Sequence, residues 1–256
     1  MMPIESDPTR LGAVRLPHVA LGVITPSGNV VVERVTTAVL TDFPAVSGHY
    51  SRVSVVGSTD VYGSEYDWDG MLRAATLLSH AAPAAICWNG SKGGSIGFEF
   101  DMTLCQRIFD ATGIRATTST LAMQVALRAN ALRRLALVTP YGTGYAGKIP
   151  PVFAKAGFEI VAEAHAGLSD NLAYASLPDA DILAMIRSTV SARPDVVITY
   201  CTNLPAAHLV SAVEEELGIP FYDSTSAGVW GALRLAGQAT APGRQWGSLF
   251  GQDLAV

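Results

Sequence analysis

Residues 196–218 read VVITYCTNLPAAHLVSAVEEELG, a short apolar run followed by a helical stretch that stops at a glycine. The run Val196–Tyr200 is apolar enough for a strand of a parallel sheet that helices cover on both faces. A helix over about 204–217, ended by Gly218, completes a strand–helix unit.

The same alternation of apolar runs and amphipathic stretches fills the chain. Strands are predicted at Val19–Ile24, Tyr50–Val56, Ala84–Trp88, Leu135–Thr139, Glu159–Ala162 and Val196–Tyr200. Helices are predicted over about 29–41, 68–81, 98–111, 119–129, 146–156, 179–192, 204–217 and 225–236. This order predicts a doubly wound α/β fold.

Two kinds of strand end each occur twice. Thr-Pro ends the first and fourth runs, and small polar residues end the third (ICWNGS, 86–91) and the last (ITYCTN, 198–203). We therefore expect two similar halves related by pseudo-twofold symmetry, each with a mostly parallel sheet of about four strands. The predicted division is an N-terminal arm (1–17), a first half (18–122 plus 228–256) and a second half (123–227). Ligands bind outside the carboxyl ends of such strands, so the repeated loops would converge on one cleft between the halves.

Composition excludes several classes of protein. The 256 residues are 49% hydrophobic and 15% charged, with a formal net charge of −5 and no basic stripe, so nucleic acid is not an expected partner. No apolar run is long enough for a membrane span, and the N-terminus does not resemble a signal peptide. The low charge content is compatible with a homo-oligomer.

The three cysteines, Cys87, Cys105 and Cys201, form no CxxC pair. Neither a disulfide framework nor a metal site is expected, and a reduced, cytoplasmic setting fits this pattern. Dinucleotide and phosphate-loop motifs are absent from the sequence, so no cofactor is predicted.

Cys201 is the first candidate for chemistry. It follows a buried strand and precedes a predicted helix, whose dipole and free backbone N–H groups would stabilise a thiolate or bind a carboxylate or enolate. The alternative is a buried cysteine that acts as a small hydrophobic residue.

Five segments, in this order, resemble the maleate cis–trans isomerases of the aspartate/glutamate racemase superfamily. They are LGVITPSGN (21–29), LVTPY (137–141), SDN (169–171), VITYCTN (197–203) and AGVWGALRLAG (227–237). The last is also similar to the closing helix of arylmalonate decarboxylase. The resemblance spans about residues 19 to 250 and implies a cofactor-independent enzyme that acts on a small carboxylic acid.

The superfamily normally has two cysteines, one on each face of the substrate carbon. Here the first-cysteine loop reads WNGSKGG (88–94), and the expected position falls on Gly90, or on Asn89 if the register shifts by one. Cys87 lies too early and is expected to be a core residue, and Cys105 lies in mid-helix and is expected to serve packing. Arylmalonate decarboxylase is similar in having glycine in the first site and cysteine in the second. The resemblance therefore implies that Cys201 alone protonates an enediolate after CO2 leaves.

The other candidate residues lie in the same repeated loops. We expect enediolate donors at the hydroxyl and backbone of Ser91, the hydroxyl of Tyr141, and the backbone N–H groups of Thr202 and Asn203. Lys92 would pair with a substrate carboxylate, donate a proton on the first face, or simply be solvated.

The asparagines point toward the isomerases. Asn29 and Asn171 match residues that hold a substrate carboxylate there, and Pro26 and Ser27 share the turn with Asn29. The alternatives are a helix cap for Asn29 and ordinary turn chemistry for Asn171.

Three functions compete. The first is decarboxylation of a malonate-like diacid. The second is isomerisation like that of the maleate isomerases, with Lys92, a water or a shifted Cys87 in place of the first cysteine. The third is non-catalytic carboxylate binding.

Overall fold

The structure, a computed structural model, describes residues 19–55, 57–58, 63 and 65–255. Within these residues the strands are β1 (Val19–Pro26), β2 (Val46–Val53), β3 (Ala85–Trp88), β4 (Ala116–Thr118), β5 (Arg134–Tyr141), β6 (Glu159–Leu168), β7 (Val196–Thr199) and β8 (Phe221–Asp223). They form two four-stranded sheets, in the orders β2-β1-β3-β4 and β6-β5-β7-β8. The pairings within both sheets are parallel.

Helices flank both sheets. The α-helices of the described residues are α1 (Val32–Leu40), α2 (Trp68–Ser79), α3 (Gly93–Ile96), α4 (Phe98–Thr112), α5 (Ser119–Ala129), α6 (Thr143–Ala146), α7 (Ile149–Lys155), α8 (Asn171–Tyr174), α9 (Asp179–Thr189), α10 (Val210–Leu217) and α11 (Ser224–Leu235). Short 3₁₀ helices span Val190–Ala192, Ala207–Leu209, Ala241–Trp246 and Ser248–Gly251. None of the described helices is both long and apolar enough to cross a membrane.

The predicted fold class is confirmed: the chain is α/β, with two parallel four-stranded sheets of the same strand order. The proposed domain division stays a prediction. Its limits at 122 and 228 lie inside α5 and α11, and α11 packs against α5, β3 and β4 of the first sheet. The predicted arm (1–17) and Val56, the last residue of one predicted strand, lie outside the described residues.

Several element bounds differ from the predictions. β2 begins at Val46, where it pairs with Val19, so it starts earlier than the predicted Tyr50. β4 and β8 have three residues each, too few to give a periodic pattern. The helix predicted over 146–156 corresponds to α7, and α6, which precedes it, was not predicted. The helix predicted from 204 begins only at Ala207. Pro205 lies in the turn before it and has no N–H to give to a helix.

The closing helix α11 is buried on nearly all sides, as expected for a helix that is apolar all round. Its close packing against α5 depends on a glycine. A Cβ added at Gly231 would lie 2.5 Å from the Cβ of Ala122, closer than two carbon atoms can pack. At the start of α11, the Thr225 carbonyl accepts from the side-chain amide of Asn89 after β3. The Ser224 hydroxyl accepts from the backbone N–H of Cys201 after β7.

Candidate active site

A cavity of about 340 Å³ lies at the carboxyl ends of the strands of both sheets. Ten of the eleven predicted site residues line it: Pro26, Asn29, Gly90, Ser91, Lys92, Tyr141, Asn171, Cys201, Thr202 and Asn203. The exception is Ser27. Its hydroxyl accepts a hydrogen bond from the backbone N–H of Val55 (3.0 Å) and donates to the Val55 carbonyl (3.3 Å), so it joins β1 to the segment after β2.

Cys201 follows β7 and is only 3% exposed. Burial raises the pKa of its thiol to about 11, although hydrogen bonds from Tyr141 and from the backbone of Asn203 lower it. The Asn203 N–H lies 3.4 Å from Sγ. The helix predicted from 204 begins only at Ala207, so it does not start directly after Cys201 as expected. The backbone N–H groups of Asn203 and Leu204 lower the pKa of the thiol, as predicted, but burial outweighs them. The thiol therefore holds its proton at neutral pH.

Tyr141 connects the loops of the two sheets. Its hydroxyl lies 3.2 Å from the Ser91 hydroxyl and also hydrogen-bonds the Cys201 thiol. Its ring packs edge-on against Tyr145 (4.8 Å between centroids) and Tyr174 (5.4 Å). Burial raises the pKa of Tyr141 well above 10, so the phenol stays protonated and serves as a hydrogen-bond donor.

Gly90, not Asn89, lies at the cavity. The Asn89 side chain instead donates to the carbonyl of Thr225 at 3.1 Å and packs against Gly228 of α11. We call the side of the cavity formed by Gly90 and its neighbours the first face, and the side formed by Cys201 the second face. The placement of these two residues favours Gly90 over Asn89 as the position of the first cysteine, which stays a prediction; at Gly90 the first face carries no side chain.

The other two cysteines do not line the cavity. Cys87 is wholly buried within β3, and burial raises the pKa of its thiol strongly. This confirms its assignment to the core. Cys105 lies on α4, where burial raises its pKa to about 12. Cys201 is thus the cysteine at the cavity among the described residues.

Lys92 brings a cation to the cavity wall. Its ammonium donates to the backbone carbonyl of Glu65 and lies 5.7 Å from the centroid of the Tyr66 ring. Burial lowers the pKa of Lys92, and the Glu65 carboxylate opposes this. Among the described lining residues it is the only lysine, arginine or histidine.

Asn29 and Asn203 are engaged in the fold itself. The side-chain oxygen of Asn29, Oδ1, accepts hydrogen bonds from the backbone N–H groups of Val31 and Val32, both at 2.8 Å, as a helix cap would. Its amide nitrogen donates to the Thr202 hydroxyl at 3.3 Å. The side-chain amide of Asn203 donates to the backbone carbonyl of Asn171 at 2.6 Å. The Asn29–Thr202 bond joins the loops after β1 and β7. The Asn203–Asn171 bond joins the loop after β7 to the start of α8.

Asn171 is different. Its side chain is 8% exposed and lines the cavity, yet its amide nitrogen has no hydrogen-bond partner among the described residues. Leaving such a donor unpaired costs about 1–3 kcal/mol, so it is well placed to receive an acceptor from a ligand.

Sequence reasoning missed the apolar part of the cavity, formed by Val53, Val55, Tyr66, Met71 and Trp88. It also missed the buried carboxyl group behind this wall. The Tyr66 hydroxyl donates to Asp101 at 3.1 Å, and burial raises the Asp101 pKa to about 7. The one available indication was the Gly93-Gly94 pair, since a Cβ at Gly93 would overlap this carboxyl group.

The comparisons with known proteins agree with this geometry. The family model described as arylmalonate decarboxylase matches residues 57–250. Maleate isomerase of Nocardia farcinica (strain IFM 10152) is 28% identical over 250 residues, which are 92% of this chain and 97% of the relative. Arylmalonate decarboxylase of Bordetella bronchiseptica is 28% identical over 159 residues, 61% of this chain and 66% of that protein.

The fold is found in solved structures of the same proteins. A cysteine-to-serine mutant of the Nocardia farcinica maleate cis–trans isomerase, with a covalently bound succinylcysteine intermediate, superposes with a TM-score of 0.78 at 24% identity. The match covers 90% of this chain and 98% of that one. The resemblance drawn from the five sequence segments is confirmed. Because the family model covers well over half of its length, the chain belongs to the arylmalonate decarboxylase family.

Proposed function

We propose that the protein is a cofactor-independent decarboxylase of a small malonate-like dicarboxylic acid, in which Cys201 protonates an enediolate. The observation that carries the proposal is that Cys201 lines the cavity while a glycine, Gly90, lines it where a first cysteine is expected. Burial raises the pKa of the Cys201 thiol to about 11, so at neutral pH Cys201 is protonated, is able to act as a general acid and is a poor nucleophile. The opposite face, at Gly90, offers no second acid or nucleophile at the matching position.

In the proposed reaction, the bond between the α-carbon and one carboxylate breaks. Its electron pair passes to the α-carbon and the retained carboxylate, which become an enediolate, and CO2 leaves. The S–H proton of Cys201 then moves to the α-carbon, and the thiolate regains a proton from water. Each turnover therefore releases one CO2 and consumes one proton.

The enediolate carries negative charge on its oxygens, and the hydroxyls of Ser91 and Tyr141 and the backbone N–H of Thr202 lie in the loops around it. Such preorganised donors commonly contribute several kcal/mol to the stabilisation of a transition state. The backbone N–H of Asn203 serves the thiol instead, since it lies 3.4 Å from Sγ. There, together with Tyr141, it would stabilise the thiolate that exists briefly after proton transfer.

The apolar wall favours loss of CO2. A carboxylate against Val53, Val55 and Met71 is poorly solvated, whereas neutral CO2 has no strong solvation to lose in the same place. We place the Lys92 ammonium on the retained carboxylate, because a cation beside the departing one would stabilise the ground state and oppose bond cleavage.

A second candidate is isomerisation of a small unsaturated diacid. It is favoured by the nearly full-length similarity to maleate isomerase and by the unpaired amide of Asn171, which suits a carboxylate. A group in place of the first cysteine would then have to add to the double bond, with Cys201 handling a proton. Gly90 supplies no nucleophile at that position, and the raised pKa of Cys201 makes its thiol a poor substitute, so we prefer decarboxylation.

The test is a panel of diacids, comprising maleate, alkyl- and arylmalonates and aspartate, incubated in D2O with NMR and CO2 detection. Decarboxylation predicts CO2 release with one deuterium incorporated, lost in Cys201→Ala and kept in Cys105→Ala, which removes a thiol outside the cavity. Conversion of maleate to fumarate without CO2 would establish the isomerase instead. Binding without turnover, unchanged in Cys201→Ala, would make the protein a carboxylate-binding protein.

A further inference from the structure

The first face is filled by an aromatic ring. Trp88 ends β3, is 2% exposed and lines the cavity two residues before Gly90. A Cβ built on Gly90 would lie 2.9 Å from Cη2 of the indole and closer still to Cζ2 and Cε2. Carbon atoms do not approach this closely, so the benzene part of the indole already takes the volume that a side chain at position 90 would need.

The ring is held from behind. Tyr66 packs against it edge-on, with 6.1 Å between the ring centroids and 86° between the planes. The Tyr66 hydroxyl is in turn bound to the wholly buried Asp101 at 3.1 Å. The Trp88 backbone pairs with Ile24 of β1 on one side and Thr118 of β4 on the other. These contacts restrain the Trp88 backbone and its indole beside Gly90.

A glycine alone would leave a space on the first face that water could enter. An indole in that space excludes water, and its carbon edge carries neither a proton to donate nor a nucleophile. Cys201 lies on the second face, with its S–H as the acid. The two faces of a bound, planar enediolate would therefore meet different chemistry.

We propose that Trp88 is the specificity-determining residue that closes the first face, so that the α-carbon receives its proton from the Cys201 side alone. This inference rests on the proposed decarboxylation. It predicts that an α,α-disubstituted malonate yields one enantiomer of the monoacid, because the indole denies solvent access to the other face.

The steric part is tested without any activity. Gly90→Ala should lower the thermal midpoint of the wild-type protein. In a Trp88→Phe background it should lower the midpoint much less, because phenylalanine keeps an aromatic ring but lacks the outer atoms of the two-ring indole. Gly144→Ala is the matched control: nothing lies within 4 Å of a Cβ built there, and alanine is the better helix former in α6, so its midpoint should not fall. Equal losses from Gly90→Ala in both backgrounds would overturn the inference, because the indole would not be what fills the space.

The functional part is tested with a disubstituted malonate that the wild-type enzyme decarboxylates. The wild type should give a single enantiomer, and folded Trp88→Phe should give a mixture while still releasing CO2 in a Cys201-dependent way. A single enantiomer from folded Trp88→Phe would overturn the role of Trp88 and leave decarboxylation standing. No CO2 from any malonate, with the stability coupling intact, would instead overturn the proposed function.

Discussion

The chemical state of Cys201 can be measured directly by its reactivity. Only the thiolate reacts with iodoacetamide, and each pKa unit changes the thiolate fraction about tenfold below the pKa. Burial raises the pKa of this thiol from its ordinary value of 9.0 to about 11. At pH 7 the thiolate fraction is then about one in ten thousand, about a hundredfold below that of an ordinary thiol.

The assay is the rate of Cys201 alkylation between pH 6 and pH 10, followed by peptide mass spectrometry in a Cys105→Ala background. We expect the logarithm of the rate to rise with a slope of one through pH 10, without a plateau. Tyr141→Phe removes a hydrogen bond that lowers the Cys201 pKa, so it should reduce the rate further at every pH below 10, with Tyr145→Phe as the aromatic control.

A plateau below pH 8 would refute the reasoning. It would mean that Cys201 is a thiolate near neutral pH, so it would hold no proton to donate to an enediolate and the proposed decarboxylation would lose its acid. A rate that Tyr141→Phe leaves unchanged would show that this phenol does not contact the thiol as described.

Three further predictions concern the residues around the cavity. Burial raises the pKa of Asp101 from its ordinary 3.8 to about 7, so its contribution to stability is complete below pH 3.8 and is lost as the pH rises to about 7. The expected loss in the free energy of unfolding is about 4 kcal/mol. Asp101→Asn should remove this pH dependence from urea unfolding measured at pH 4, 5.5 and 7. Gly93→Ala should lower the thermal midpoint, since its Cβ would overlap the Asp101 carboxyl group, whereas an unchanged midpoint would show that this carboxyl group moves easily. Lys92→Met should raise the KM of a dianionic substrate about tenfold, which corresponds to about 1.4 kcal/mol of binding free energy. Lys92→Arg, which keeps the positive charge, should raise the KM less. Equal KM values in the wild type and both variants would show that Lys92 does not bind the substrate.

Much of the fold could be predicted because its elements are locally encoded. The apolar runs of β1, β3, β5 and β7 are buried on both faces, and such runs are recognisable without knowledge of their neighbours. The edge strands β4 and β8 could not be located, since three residues give no period and their pairing depends on the strands beside them. The four-residue helix α6 was missed for a similar reason, because a single turn gives no helical period.

The sequence by itself determined the α/β class, the repeated strand ends, the position of Cys201 and the absence of a thiol at Gly90, because each of these is a property of residue type and spacing. Only the tertiary structure decided the state of that thiol, since its pKa is controlled by burial among residues distant in sequence. The same holds for the unpaired amide of Asn171 and for the indole of Trp88 against Gly90, which Tyr66 and Asp101 hold from other elements. Composition and spacing state which groups are present, whereas solvent exclusion and orientation arise only when the two sheets bring those groups together.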